Sequence, residues 1–487
     1  MKVFFKEPRW PTGRRSGVLG SLVALLVPFA VLVCPPAAAA ARPRLASFIP
    51  AIARSLVIVQ YTAENEFHKT TKIDGQGIVL NSRGVVLISA NLIPGDIPLS
   101  YVKHLVIRLP CGALKKIPAT YLGRTVNGLF CFIRADSAKG GLKLPPLKIS
   151  PHASVRLGQS VFAIGLLPKD EGYRPYVGIN HVKAIVPLVH PLALTDMFGL
   201  TRATSPVYDS RTGAFLGLTV PDPGQSISMA LLGHNVPVLV KDPNQEGVFL
   251  TWRTVAQVLA NVPEKPFHAA RPWLGTADDT GLNPALRKLY KIKQRAGIVI
   301  GSVIPAMPAA RAGLKSQDII LTINGKPFSR SAVPSLMLAH FERALQKMRP
   351  GRTVNFGILR HGKKYMTIPV KIGTLPPPPS RMARYYDHKL GLVVRKIAFA
   401  DTYARKLSAS LRGVIVSLVK GGAPASLGRT PLKPGYVITR VNNRKVTGGR
   451  QFMTLLKRAE RHLHGRRIVF VVIKADGNTA VCRIGLH

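Results

Sequence analysis

From about residue 50 to residue 260 the chain is written in short apolar runs cut by Gly, Pro and Asn. "GIVLNSRGVVLIS", "HLVIRLPCG", "LFCFIRAD", "QSVFAIGLLP" and "GAFLGLTV" set the pattern. Apolar runs of this length between turn residues predict the strands of a sandwich or barrel. The stretch closes on "VFLTWRTVAQVLANV", where the apolar positions move to helical spacing.

The pattern then changes and repeats itself at roughly 110 residues. "WLGT" is followed by "GIVIGSVIPAMPAARAGLKSQDIILTINGKPF"; later "KLGLVV" is followed by "GVIVSLVKGGAPASLGRTPLKPGYVITRVNNRKV". Each copy reads as strand, small-residue helix start, turn, strand and Asn-containing turn. An amphipathic helix follows, "VPSLMLAHFERALQKM" in one and "RQFMTLLKRAERHL" in the other, and then a last strand pair. "TLPPPPS", residues 374–380, separates the copies as a semi-rigid polyproline spacer. The plan is one β domain followed by two small mixed modules.

At 487 residues the chain is too long for one ordinary core, which fits this division. Its charge is anomalous: 69 Lys and Arg against 22 Asp and Glu give a formal +47. Such a field holds anions near the surface, whether nucleic acid, lipid headgroups or acidic polymers. The basic residues are spread along the whole chain, however, so adaptation to an acidic exterior is the plainer alternative. Neither an aromatic-interleaved RNA signature nor a basic-region helix is present.

The N-terminus is more specific. "MKVFFKEPRWPTGRRSG" is basic, "VLGSLVALLVPFAVLV" is apolar, and "CPPAAAAARP" offers small residues for cleavage after Ala41. That order predicts a secretory signal over residues 1–41, with an uncleaved anchor as the alternative. Cys34 would leave with the signal. Cys111 and Cys131 lie close enough in one strand meander to pair, Cys482 is isolated, and no spaced Cys/His cluster predicts a metal. No cofactor is expected.

Four stretches, "GQGIVLNSRGVVLISANLIPGD", "VRLGQSVFAIGLLP", "YVGINHVKAIV" and "SPVYDSRTGAFLGL", together resemble the trypsin-like domain of HtrA (DegP-type) secreted proteases. The repeats resemble the PDZ domains that follow it, most strongly in "AARAGLKSQDIILTINGKPF". The resemblance implies a mainly β chain. A trypsin-like double β-barrel over residues 42–265 would be followed by a PDZ domain over 270–374, a Pro-rich linker over 375–384 and a second PDZ domain over 385–487, both PDZ domains being α+β partly open barrels.

The catalytic chemistry that the resemblance implies does not carry over residue by residue. The family's histidine position falls on Asn91, whose amide does not accept a proton near neutral pH. The aspartate position falls on Gly128, or on Asn127 if a gap is allowed, and the nucleophile position in "RATSPV" falls on Ala203. "LTRAT" stands where a glycine-lined oxyanion loop would be. Ser205 is the candidate substitute nucleophile, with His68, His104, His181, His190, Asp196 and Asp209 as conceivable partners. The plainer reading makes Ser205 and Asp209 turn residues.

A PDZ domain adds an extended peptide to a strand edge and holds the terminal carboxylate on a loop of amide groups. By resemblance that loop is Trp273, Leu274, Gly275 and Thr276 in the first module. In the second it is Lys389, Leu390, Gly391 and Leu392. The far wall of each groove would be Leu338, Phe341 and Leu345, or Phe452, Leu455 and Leu456, on the two amphipathic helices; module core is the alternative for most of these apolar positions. Basic residues near the grooves (Arg311, Lys315, Lys389, Arg395 and Lys396) would favour acidic C-termini. Tyr436 in "PLKPGY" replaces Asp318 of "GLKSQD", which predicts a repacked turn.

Three functions remain. The first is an exported HtrA-like pseudoprotease that binds protein C-termini or unfolded segments as chaperone, adaptor or regulator, in the periplasm or cell envelope, with a homotrimer implied by family likeness alone. The second is an active serine endopeptidase with a rearranged site. The third is an envelope protein held to anionic polymer or membrane.

Overall fold

The computed structural model describes residues 45–485, apart from 111–115, 126–127, 137–143, 150–153, 187–190, 197–202, 221–245, 261, 264–270, 295, 329–333, 409, 428 and 462–466. The expected export signal, Cys111, Asn127 and His190 lie outside the described residues. Among the described residues no helix is long and apolar enough to cross a membrane.

Strands β1 (Leu56–Glu64), β2 (Thr70–Val79), β3 (Val85–Ser89), β4 (Val102–Arg108), β5 (Ile117–Arg124) and β6 (Phe130–Ala135) form a closed antiparallel barrel in the order β1-β2-β3-β6-β5-β4. Local chemistry sets the β2–β3 turn: the Asn81 side chain accepts from the amides of Arg83 and Val85 at 3.0 and 3.2 Å. Gly84 takes a φ of +75° there, which side chains resist.

Next come β7 (Ser160–Leu166), β8 (Pro175–His181), β9 (Ala184–Val186), β10 (Leu192–Asp196), β11 (Pro206–Asp209), β12 (Phe215–Thr219) and β13 (Glu246–Thr251). They make a seven-stranded sheet ordered β8-β7-β11-β12-β13-β10-β9. Helix α1 (Trp252–Leu259) follows directly.

The continuous apolar runs have a simple cause. Phe130 and Phe132 of β6, Val85 and Leu87 of β3, and Leu56 and Ile58 of β1 share one core with Phe162, Phe215 and Leu250 of the second sheet. The intervening Cys131, Ile133, Val86, Ile88, Val57 and Val59 fill the barrel interior. Alternate residues of the same strands thus enter two different cores, so neither face can be polar. Cys131 carries a free thiol, wholly buried 3.7 Å from the Tyr121 hydroxyl, and burial pushes its pKa up. It is therefore a packing residue rather than a reactive one.

The first C-terminal module holds β14 (Pro272–Trp273), β15 (Thr276–Ala277), β16 (Thr280–Gly281), β17 (Ile298–Val299), β18 (Ser302–Val303), β19 (Ile319–Ile323), β20 (Lys326–Pro327), β21 (Thr353–Arg360), β22 (Lys364–Lys371) and β23 (Gly373–Thr374). Its sheet runs β16-β17-β19-β21-β22, with β20 on β19; β15 pairs with β18 and β14 with β23. Helix α2 (Pro334–Gln346) packs on it.

The second module holds β24 (Arg384–Asp387), β25 (Leu392–Lys396), β26 (Val414–Val419), β27 (Val437–Val441), β28 (Arg444–Lys445), β29 (Ile468–Ile473) and β30 (Thr479–Ile484). Its order is β24-β25-β26-β27-β29-β30, with β28 on β27 and helix α3 (Gly449–Arg461) across it. Arg384, at the end of the expected linker, thus opens a strand.

The repeat is visible in the backbone. The Leu274 and Gly275 carbonyls accept from the amides of Ala309 and Ile304, and those of Leu390 and Gly391 accept from Ala425 and Lys420. The Ile300 amide donates to the Asp318 carbonyl at 2.9 Å, as the Val416 amide does to the Tyr436 carbonyl at 2.8 Å. Side chains diverge at that turn, as the sequence predicts. Asp318, 1% exposed, forms a two-pronged ion pair with Arg360 at 2.8 and 2.6 Å, whereas Tyr436 packs against the core of its module.

Candidate functional site

Two of the loops singled out by the resemblance, those of Asn91 and Gly128, are tied together. Asn91, exposed, follows β3, and its amide donates to the Ser89 hydroxyl at 3.1 Å. Gly128 sits in the β5–β6 turn at a φ of +75°. The Arg124 guanidinium stitches these two loops together. It donates to the carbonyls of Ala90 and Gly128, each at 3.3 Å, and to that of Ile93.

The third loop arrives from the second sheet. Leu92 lies so close over Gly75 that any Cβ there would meet its methyl at 2.7 Å. The adjacent Gln76, buried in β2, crosses to the other unit. Its amide nitrogen donates to the Thr204 carbonyl at 2.7 Å and to the Ser205 hydroxyl at 3.2 Å. Its amide oxygen accepts from the Leu166 amide at 2.6 Å. The Ser205 amide donates to the Thr219 hydroxyl at 2.7 Å, and that hydroxyl donates to the Ala203 carbonyl at 3.2 Å. Ser205 is thus 3% exposed at the strand start, with an amide and not an imidazole on its oxygen.

Three of the conceivable partners of Ser205 are employed elsewhere. His68 pairs with Glu64 at 2.7 Å on the surface, and Asp196 pairs with Lys183. Asp209 caps a turn, accepting from the Arg211 and Thr212 amides at 2.8 and 2.7 Å and from Gln159 at 2.6 Å. Burial opposes its ionisation, yet these hydrogen bonds hold its pKa below the ordinary range. His104 and His181 are exposed on β4 and at the end of β8. Among the described residues no group of three or more His, Cys, Asp or Glu could hold a metal ion.

In the C-terminal modules Leu274, Gly275, Leu390, Gly391 and Leu392 are buried, Trp273 and Thr276 half-buried, and Lys389 exposed. Gly275 at φ +83° and Gly391 at φ +62° lie against Met307 and Ala423, where a Cβ would meet the neighbouring Cβ at 2.4 and 2.3 Å. Of the helix residues, Phe341, Phe452 and Leu456 are at most 1% exposed and Leu338 is 7% exposed, so in this conformation they are module core. Leu345 and Leu455 keep accessible surface. Two of the five basic residues are already engaged: Arg395 grips Asp401 at 2.6 and 2.8 Å, and Lys389 lies 3.8 Å from Glu460. Sequence reasoning missed Gln76 and Arg124, whose partners all lie in other parts of the chain or on backbone atoms.

A barrel joined through a shared core to a second antiparallel sheet, with small strand–helix modules behind, defines a trypsin-fold protein carrying a PDZ domain. A family model described as "PDZ domain" matches residues 281–372. The chain is 24% identical over 415 residues to the "Probable periplasmic serine endoprotease DegP-like" of Pseudomonas savastanoi pv. phaseolicola, covering 80% of this chain and 74% of that one. It is 28% identical over 201 residues to the protein of the same name in Chlamydia muridarum, covering 40% of this chain and 38% of that one. Among solved structures, "HtrA-type protease AlgW with tripeptide" aligns over 69% of this chain and 99% of that chain, with a TM-score of 0.50 and 19% identity. The chain thus carries a PDZ domain over residues 281–372 and is similar over most of its length to DegP-like serine endoproteases.

Proposed function

We propose that this is an exported, proteolytically inactive member of the HtrA (DegP-type) family, which binds protein C-termini or unfolded segments through PDZ modules as chaperone, adaptor or regulator. On this reading residues 42–265 are a protease-like domain, and 270–374 and 385–487 are both PDZ domains. Location in the periplasm follows from the naming of the relatives as periplasmic. Peptide binding is favoured by the PDZ match and by the peptide complex of a protein of similar fold.

The reading is carried by residue type: Asn91, Gly128 and Ala203, where the resemblance expects the triad, have no side chain that accepts a proton, and the neighbouring Ser205 is buried under Gln76. Acyl transfer needs an activated nucleophile and donors aimed at the developing oxyanion, and these side chains supply neither. The test is cleavage of an unfolded casein-like substrate by the purified mature chain from pH 4 to 8, with a fluorophosphonate labelling lane and a Ser205→Ala control. Neither cleavage nor labelling is expected. Cleavage abolished by Ser205→Ala would replace the reading with a protease using a relocated nucleophile.

A further inference from the structure

β24 runs antiparallel to β25, on the side opposite β26, in the register Arg384↔Arg395, Tyr385↔Val394, Tyr386↔Val393 and Asp387↔Leu392. It ends at the loop His388–Gly391. A peptide bound to a PDZ domain has the same polarity, added antiparallel to a strand edge with its carboxylate end on the loop. We propose that β24 is a built-in ligand mimic, which occupies the groove of the second module and excludes other C-termini. This rests on the PDZ reading of that module.

Three contacts carry the proposal. The Asp387 carboxylate, 7% exposed, accepts from the Leu390 amide at 2.8 Å, where a peptide's terminal carboxylate would be received. Two positions earlier on the same face, the Tyr385 ring lies against the start of α3; a Cβ on Gly449 would meet it at 1.9 Å. That ring packs on the module core between strand and helix. Glu460 of α3 closes the same end, 3.8 Å from Lys389, and burial together with the neighbouring Asp387 carboxylate pushes its pKa up. In the first module the equivalent strands β15 and β16 each pair on one side only among the described residues, and β14 turns away to β23.

The other face of β24 is held by the first barrel. Arg384 donates to the Tyr101 hydroxyl and to Ser417, each at 2.9 Å, and lies 3.6 Å from Glu66. Tyr386 meets Phe67 edge to face at 5.5 Å. Upstream, the Ser380 hydroxyl donates to the Gly95 carbonyl at 2.7 Å, so the spacer that delivers the strand is itself anchored.

The test uses the full mature chain and a fluorescein-labelled peptide of residues 381–387 with a free C-terminus, with amide exchange over residues 384–396 followed by mass spectrometry. A tethered occupant acts at roughly millimolar effective concentration, so the double variant Tyr385→Ala/Asp387→Ala should bind the peptide at least about 10-fold more tightly than wild type. Arg384→Ala leaves the groove-facing side chains in place and should give a smaller gain, which guards against a double variant that fails to fold. Peptide bound to either variant should protect residues 392–396 from exchange. Equal binding by wild type and variants would overturn self-occupation while leaving the peptide-binding reading intact. No binding by any of them would overturn both, and rapid exchange over β24 in the wild-type chain would overturn the proposal by itself.

Discussion

The side-chain amide of Gln76 bridges two β units, giving a hydrogen bond to the Ser205 hydroxyl while its oxygen takes one from the Leu166 amide. A residue that would be remarked on only as polar therefore closes the junction where a nucleophile would need room. Gln76→Ala strands the Leu166 amide and the Thr204 carbonyl in a buried place, at a cost of about 1–3 kcal/mol. Ser205→Ala removes one partner of an amide that keeps its bond to Thr204, and should cost less. Denaturant midpoints of the two variants compare these costs; the opposite order would mean that the serine, not the glutamine, organises the junction.

Arg124 holds the loops of Asn91 and Gly128 through three carbonyl oxygens. Charged donors to carbonyls contribute about 1.5–3 kcal/mol each side of a comparison, so Arg124→Ala should loosen both loops together. Amide exchange over residues 90–97 and 125–129 should rise in parallel. A rise in only one loop would break the inferred link.

The Asp318–Arg360 pair separates two ways of breaking an ion pair. Removing one partner of a buried pair costs about 3–5 kcal/mol when the remaining charge has no water. Asp318 is 1% exposed and the Arg360 side chain 16%, so Arg360→Ala should be the more damaging change. Chemical denaturation of both single variants, with the double variant to complete the cycle, measures the difference.

Asp279 makes the first module sensitive to pH. Burial pushes its pKa up to about 6, against the pull of hydrogen bonds from the Thr276 hydroxyl and the Gly301 amide. The folded form thus keeps a proton that the unfolded form has released at an ordinary carboxylate pKa of 3.8. Stability from this group is greatest below about pH 4 and declines as pH rises to about 6. Asp279→Asn should remove that decline, seen as the difference between the variant and wild-type denaturation midpoints across pH 4–7.

The strands were legible because their runs report burial on both faces: "LFCFI" is apolar throughout, since Phe130 and Phe132 enter one core while Cys131 and Ile133 enter another. The amphipathic helices were legible from spacing: α2 lies within the stretch that predicts it, and α3 starts one residue before its own. β24 was not. "RYYD" follows a proline run and has no apolar face, because its alternate residues answer to partners in two different parts of the chain. Which positions of a groove helix face a ligand was also unreadable, since Phe341 and Leu345 have the same periodicity and only packing tells them apart. Gln76 and Arg124 gave no signal, because a hydrogen bond to backbone atoms 128 or 34 residues away leaves no local pattern.

A strand whose two faces belong to different neighbours makes those neighbours thermodynamically answerable to each other. Whatever draws Tyr385 and Asp387 from the second groove also strains the hold of Arg384 and Tyr386 on Tyr101, Glu66 and Phe67. Linkage makes the effect equal in both directions: by the factor that an occupant of the groove weakens the grip on the barrel, tightening that grip weakens the occupant. A latch of this kind would let a loop of the first barrel set the threshold for capture of a distant peptide end.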